Sequence, residues 1–370
     1  MRPKILFILH WPPPVHGSSV VGLQIKQSKI INSDFDCDYI NLNTSDTIDE
    51  IGKNAVVKVF RFSVILWKTF CSLLIHRPNL CYIAITVVGK GFYKDVLVVL
   101  LAKMFRVRLI FHLHNKGIST RQDKFIDDIF YRFVFKKSNV ILLSNYLYQD
   151  VKKYVTETKT HICPNGIPHI NRTSSSEIKK QNEITKILFL SNLIESKGVY
   201  VLMDACSMLK QTHVPFQCIF VGNVGDITVE LFEKELQNRG LQSKVKYIGA
   251  KYGEEKNEML RNADIFVLPT YNECFPLVLL EALQFGLPII STYEGGIKDI
   301  VENGKTGFLV NQKDAGQLAE KLEILIKNSD LRINMGKAGR IKFEQEFTVE
   351  KFEQRLTEII KRISSDRILN

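Results

Sequence analysis

In the stretch 272–282, NECFPLVLLEA, seven residues separate Glu273 from Glu281, and a proline followed by an apolar run lies between them. Pro276 suits the first position of a helix, where its missing N–H costs nothing. Exposed amides beside Pro276, at Phe275 and Leu277 around the start of such a helix, can hold a phosphate. Glu273, in the preceding loop with Cys274, can then accept hydrogen bonds from sugar hydroxyls, and Glu281, inside the helix, from those of a ribose. The same spacing also fits a capped helix with Glu281 facing water.

A second stretch, SNLIESKG at 191–198, places Lys197 just before Gly198 at the carboxyl end of a strand-like run. A lysine there can reach a phosphate and stabilise the charge on a departing diphosphate. The third stretch, HWPPPVHGSS at 10–19, also follows an apolar run. Gly17 permits close backbone approach to a ligand, Ser18 and Ser19 can begin a helix, and His16 with the proline run suggests an acceptor wall. An ordinary strand-to-helix turn accounts for the same glycine. In FHLHNK at 111–116, His112 and His114 share one face of a strand. No third ligand at suitable spacing accompanies them, so a metal pair is not expected.

The elements that must position these residues alternate strand and helix throughout. Apolar runs at 4–10, 79–85, 108–114 and 139–145 predict buried parallel strands, with weaker candidates at 36–42 and 159–164. Helical periodicity covers 54–75, 94–106 and 125–136. The pattern restarts with strand-like runs at 186–193, 217–222, 245–249, 264–269 and 288–292. Alternation of this kind predicts α/β folding with parallel sheets covered on both faces. The segment 166–185 is the one convincing linker. Two doubly wound domains are therefore expected, over 1–170 and 171–350, with ligands beyond the carboxyl ends of their strands and in the cleft between the halves. A helix over 351–370 is expected to pack back on the first domain.

Composition narrows the setting. The 370 residues carry 50 Lys+Arg against 39 Asp+Glu, and the whole excess of +11 lies within residues 1–170. A one-sided basic surface calls for an anionic partner. Nucleic acid is not expected, because no recognition module or stacking platform is present. Lys53, Lys58, Arg61 and Lys68 share a segment with Phe60, Phe62, Trp67 and Phe70. That segment either lies among anionic lipid headgroups or is an ordinary amphipathic helix covering the sheet. No apolar run approaches the ~20 residues of a spanning helix. The 7 cysteines are dispersed, without a C-x-x-C pair, which suits a reducing compartment. A cytoplasmic protein, at most peripheral at the inner leaflet, is the expectation.

The stretch 272–282 resembles the Glu-(seven residues)-Glu motif of the retaining glycosyltransferases of family 4, which have the GT-B fold of two Rossmann-like domains. EGGIKDIVE at 294–302 and NGKTGFLV at 303–310 resemble the segments that follow it in that family. CPNGI at 163–167 and SNLIESKG at 191–198 extend the resemblance. It implies donor binding by Gly17, Asn192, Lys197, Ile248, Glu273, Cys274, Phe275, Pro276, Leu277 and Glu281. Catalytic roles fall on Lys197, Glu273 and His114, and acceptor contacts on His16 and Ser18. Where the family carries Arg, five residues before the lysine, this chain has the uncharged Asn192.

The resemblance further implies transfer with retention from a nucleotide-sugar, with uridine favoured; the basic first half then points to a lipid-linked or oligosaccharide acceptor in cell-surface polysaccharide synthesis. No cofactor and no metal are implied, because amides and Lys197 neutralise the diphosphate. Asp36 and Asp38 imitate the Asp-x-Asp metal pair of the GT-A fold, but lie in an early strand-like stretch without the rest of that fold, and are expected to be solvated. Two rival functions are a nucleotide-sugar epimerase and a degenerate transferase acting as a binding partner.

Overall fold

The computed structural model describes residues 2–44, 55–170 and 184–365. The chain opens with β1 (Lys4–Leu9), α1 (Gly17–Gln27), α2 (Lys29–Asp34), β2 (Asp36–Asn41), α3 (Ala55–Ile75) and β3 (Leu80–Ile83). It continues through α4 (Gly89–Met104), β4 (Arg108–Leu113), α5 (Phe125–Phe135), β5 (Asn139–Leu142), α6 (Tyr148–Val151) and β6 (Thr160–Ile162). These strands form one parallel sheet in the order β2-β1-β3-β4-β5-β6. Residues 5–9 of β1 and all four of β3 are buried, as continuous apolar runs must be when helices cover both faces.

The rhythm then restarts with β7 (Thr185–Leu190), α7 (Val199–Gln211), β8 (Phe216–Val221), α8 (Val229–Asn238), β9 (Val245–Tyr247) and α9 (Gly253–Asn262). Next come β10 (Ile265–Leu268), α10 (Leu277–Gln284), β11 (Ile289–Thr292), α11 (Ile297–Ile300), β12 (Gly307–Val310), α12 (Ala315–Lys327) and α13 (Ser329–Glu346). Their sheet is also parallel, in the order β12-β11-β10-β7-β8-β9. The last helix, α14 (Val349–Ser365), returns to the first sheet's unit. There Arg108 donates to the Ile363 carbonyl at 3.0 Å, and Lys361 pairs with Asp34 at 3.0 Å.

The units are Met1–Gly166 with Val349–Asn370, and Ile167–Thr348. Their boundaries thus fall at 166 and 348 rather than at 170 and 350, because Ile167 already bonds the Phe347 carbonyl at 2.9 Å. Most of the expected linker, 171–183, lies outside the described residues, as do Lys53 and Asn54. Two local expectations are corrected. Pro276 is the N-cap of α10, with an extended ψ of 116°, so the helix begins one residue later. Asp38 is half-buried rather than solvated, and accepts the Ser72 hydroxyl at 2.5 Å.

In each sheet the strand order reverses once, between β1 and β3 and between β7 and β10. Loops leaving the carboxyl ends of strands at such a reversal diverge and open a crevice, the usual ligand position in doubly wound sheets.

Candidate active site

At the reversal in the second unit, the loops after β7 and β10 carry Lys197 and Glu273. Lys197 ends a short 3-10 turn, and Gly198 follows in the left-handed region at φ 85°. A Cβ on Gly198 would lie 2.2 Å from the Pro269 carbonyl oxygen, so only glycine lets the two loops approach. They are then tied at Ser196, whose carbonyl accepts from the Tyr271 amide at 2.9 Å and the Thr270 hydroxyl at 3.0 Å. The result brings the Lys197 ammonium onto the Glu273 carboxylate, with a further 3.4 Å contact to the Asn272 carbonyl.

Glu273 is fixed from behind by a residue that spacing alone does not single out. The buried Glu294 accepts from the Glu273 amide at 3.2 Å, and its other oxygen accepts from Gln312 at 2.6 Å. Gly295, at φ 50°, leaves 2.5 Å between a hypothetical Cβ and the Glu273 carbonyl oxygen. The Gly296 amide bonds the Cys274 carbonyl at 2.8 Å. The signal for this clamp was the Glu-Gly-Gly that follows a strand; its target was not readable.

Cys274, Phe275 and Pro276 are buried and lead into α10, which no side chain caps. The first amides of a helix have no intrahelical acceptor, so those of Leu277 and Val278 remain available to an anion. One turn further in, Glu281 pairs with Lys256 of α9 at 2.6 Å. The other oxygen of Glu281 is buried without a hydrogen-bond partner. Lys256 was missed in the sequence because, among Glu254, Glu255 and Glu258 of α9, it reads as an ordinary solvated helix lysine. Asn192 is exposed, and its side-chain Oδ1 accepts from the backbone amide of Asn223 at 3.1 Å. Ile248, at the end of β9, presents an open apolar side chain.

The first unit holds the other candidates. His16 caps α1, its Nδ1 accepting from the Ser19 amide at 3.3 Å and lying 3.0 Å from the Ser18 hydroxyl. Gly17 has open space where a Cβ would be, whereas Gly22 would place one 1.9 Å from the His10 carbonyl oxygen. Packing therefore demands glycine at 22 and not at 17. His10 lies edge-on to His16 at 5.9 Å, and its Nδ1 is 2.7 Å from Asn43.

His112 bonds the Tyr82 hydroxyl, and its ring lies 4.1 Å from that of His114. Desolvation, then the neighbouring His10 and His16, push His114 down to about 3; desolvation and His10 push His16 to about 4. Both rings are neutral at physiological pH. The Nδ1 of His114 and the Nε2 of His112 are buried without partners. Among the described residues, no group of three His, Cys, Asp or Glu is placed to hold a metal ion.

Two parallel six-stranded sheets of this topology define the GT-B fold. Anabaena HepE, whose crystal structure is in complex with UDP, shares it at a TM-score of 0.76 and 17% identity, over 97% of this chain and 100% of that one. Residues 171–342, just under half of the chain and almost all of its second unit, match the family Glycosyl transferases group 1.

The amylovoran biosynthesis glycosyltransferase AmsK of Erwinia amylovora is 33% identical over 185 residues, 48% of this chain and 45% of that protein. The capsular polysaccharide biosynthesis glycosyltransferase CapM of Staphylococcus aureus is 27% identical over 178 residues, 48% of this chain and 46% of that protein. The chain thus spans about half the length of these curated relatives.

Proposed function

We propose that this protein is a retaining glycosyltransferase of cell-surface polysaccharide synthesis. It moves a sugar from a nucleotide-diphosphate donor, UDP-linked by preference, to a hydroxyl of a lipid-linked saccharide. The observation that carries the reading is the Lys197–Glu273 pair at the strand-order reversal, beside the uncapped start of α10. A cation and free amides together suit a diphosphate, and a carboxylate beside them suits the hydroxyls of the attached sugar. The family of the second unit and the polysaccharide roles of AmsK and CapM favour the same chemistry. HepE's complex with UDP favours the base.

In this reading Lys197 and the amides of α10 stabilise the negative charge that grows on the leaving diphosphate. The positive charge comes from the protein, and no metal is needed. As the bond from the anomeric carbon to the diphosphate oxygen breaks, the acceptor oxygen bonds that carbon on the same face. The acceptor proton passes to the departing phosphate oxygen. Glu273 orients the donor sugar, Glu281 holds the ribose, and Ile248 flanks the base. His16, Gly17 and Ser18 belong to acceptor binding, and neutral His114 offers a hydrogen bond to a sugar hydroxyl. The enzyme works at the inner leaflet as a peripheral protein.

The test is transfer from UDP-sugars to lipid-linked acceptors, followed by NMR of the product's anomeric proton. The reading expects the donor's configuration in the product and loss of turnover in Lys197→Ala. An inverted product contradicts it, and a donor sugar altered without any acceptor favours an epimerase. Asn192, uncharged and engaged with Asn223, favours a second reading, a chain that binds donor without turning it over. Nucleotide binding with no transfer to any acceptor would select that one.

A further inference from the structure

The reversal of strand order after β2 has a consequence away from the candidate site. Right-handed crossovers place α3, α4 and α5 together on the sheet face opposite α1. Aromatic contacts join the three. Phe70 meets Phe105 just beyond α4 at 5.7 Å, and Phe92 of α4 meets Tyr131 of α5 at 4.7 Å.

A helix layer covering a sheet in water turns its apolar stripe inward. Helix α3 turns Ile65 and Leu73 inward but keeps many of its large apolar side chains outside. Thr69 and Ser72 face the protein and are buried, their hydroxyls bonded to the Ile65 carbonyl at 2.8 Å and to Asp38. Phe60 and Trp67 are 70% and 66% exposed, and with Val64 they repeat at helical spacing along the outer side. On α4, Leu97 and Leu100 form an outer stripe, and on α5 Phe125 is 80% exposed. Scattered exposed apolar side chains are ordinary; a contiguous layer of them marks an interaction surface.

The exposed charges around this layer are mostly basic, with Asp123 just before α5 an exposed acid among them. Helix α3 contains Lys58, Arg61 and Lys68 and no acidic residue. The single acid of α4, Asp95, is fully buried, whereas its lysines are not. Each helix is followed by an exposed cation in the left-handed region: Arg77 at φ 47°, Arg106 at φ 55° and Lys137 at φ 57°. Glycine would serve those turns more cheaply. The cations line one edge of the layer, where β3, β4 and β5 begin. A second copy seated symmetrically on this face would set like cations against one another. An anionic surface with an apolar interior answers both features.

We infer that the outer face of α3, α4 and α5 docks on an anionic phospholipid bilayer, with Phe60, Val64, Trp67, Leu97, Leu100 and Phe125 entering the headgroup boundary and the basic edge holding lipid phosphates. The inference extends the proposed lipid-linked acceptor and stands on separate residues. No described helix is long and apolar enough to cross a membrane, so the face lies in the interface rather than spanning it.

The test is co-sedimentation of the full chain with vesicles of equal phosphatidylglycerol and phosphatidylcholine, and of phosphatidylcholine alone, at low and high salt. Binding should need the anionic lipid and weaken with salt. Phe60→Ser with Trp67→Ser and Leu100→Ser should weaken it by at least about tenfold, with unchanged thermal unfolding and nucleotide binding. In Trp11→Phe, the emission of Trp67, then the sole tryptophan, should shift to the blue with vesicles and be quenched by brominated lipid. Failure to bind anionic vesicles, or binding untouched by the triple substitution, overturns the inference. So does a dimer in sedimentation velocity that the triple substitution dissolves. Vesicle binding without sugar transfer would leave the docking face standing and remove the proposed function. Transfer without docking by this face would do the opposite.

Discussion

The two units share a parallel six-stranded sheet with one reversal of strand order, and differ in how they treat charge. The first holds 28 Lys+Arg against 16 Asp+Glu, the second 22 against 23. At its reversal, the second unit sets each candidate carboxylate against a lysine, Glu273 with Lys197 and Glu281 with Lys256. The first unit gathers neutral imidazoles with unpartnered nitrogens, and puts its cations on the helix layer and its edges. One topology thus supports a cluster of compensated ion pairs and a cluster of neutral imidazoles. In the proposed function the former takes a diphosphate, which would displace one partner of a pair already formed. The latter suits hydroxyls, which need donors and acceptors but no net charge.

The sharpest way to break this contrast is to remove the cation. Lys197→Ala should lower kcat by about 10²–10³-fold, some 3–4 kcal/mol of transition-state stabilisation. Folding should be untouched, because the partly exposed ion pair itself contributes about 1 kcal/mol or less. Steady-state kinetics beside a thermal melt would separate the two.

Glycines test the contrast from the backbone. Gly198→Ala forces a Cβ against Pro269 at a positive φ and should cost about 3 kcal/mol of stability. Gly17→Ala meets open space and should leave stability within about 0.5 kcal/mol, yet impair transfer if a ligand lies against that backbone. Urea denaturation of both variants checks the difference.

Acid tests the neutral imidazoles. His114, held at about 3 when folded against 6.5 when free, stays uncharged while the unfolded chain takes up its proton. Stability is therefore full above pH 6.5 and declines as pH falls below it, reaching a loss of up to about 2 kcal/mol from this residue at pH 5. His114→Gln should show a correspondingly shallower loss between pH 7 and 5 by denaturant unfolding. The smallest effect is expected from Lys256→Met. Loosening Glu281 should raise the donor KM by roughly fivefold, about 1 kcal/mol, with kcat nearly unchanged.

Much of this fold was legible because parallel strands buried on both faces leave continuous apolar runs. Even the weak candidate at 36–42 is a strand, β2, at the sheet edge. The start of α4 was not. It begins at Gly89, five residues before the periodic stretch, because Gly-Lys-Gly hides a helix that tertiary contacts impose.

Of the candidate site, Lys197 and Glu273 were legible as types and positions, and their contact follows from the strand-order reversal. Lys256 and the Glu294 clamp were not, since each depends on a loop meeting another far along the chain. The histidines at 10, 16, 112 and 114 read as two separate motifs, yet His10 and His16 bear on His114 in the fold. Periodicity showed α3 to be amphipathic but could not say which side faces the sheet. Asp38, which takes the Ser72 hydroxyl, helps to explain that orientation.

The most direct test of a donor site in the second unit is thermal unfolding with UDP, GDP, ADP and their common sugars, each with and without EDTA. A nucleotide at about 100 times its Kd adds about 2.7 kcal/mol, enough to move the Tm by several degrees. The account predicts a shift with uridine nucleotides that EDTA leaves in place and that shrinks in Lys197→Ala. No shift with any nucleotide, or one of the same size in Lys197→Ala, would contradict it.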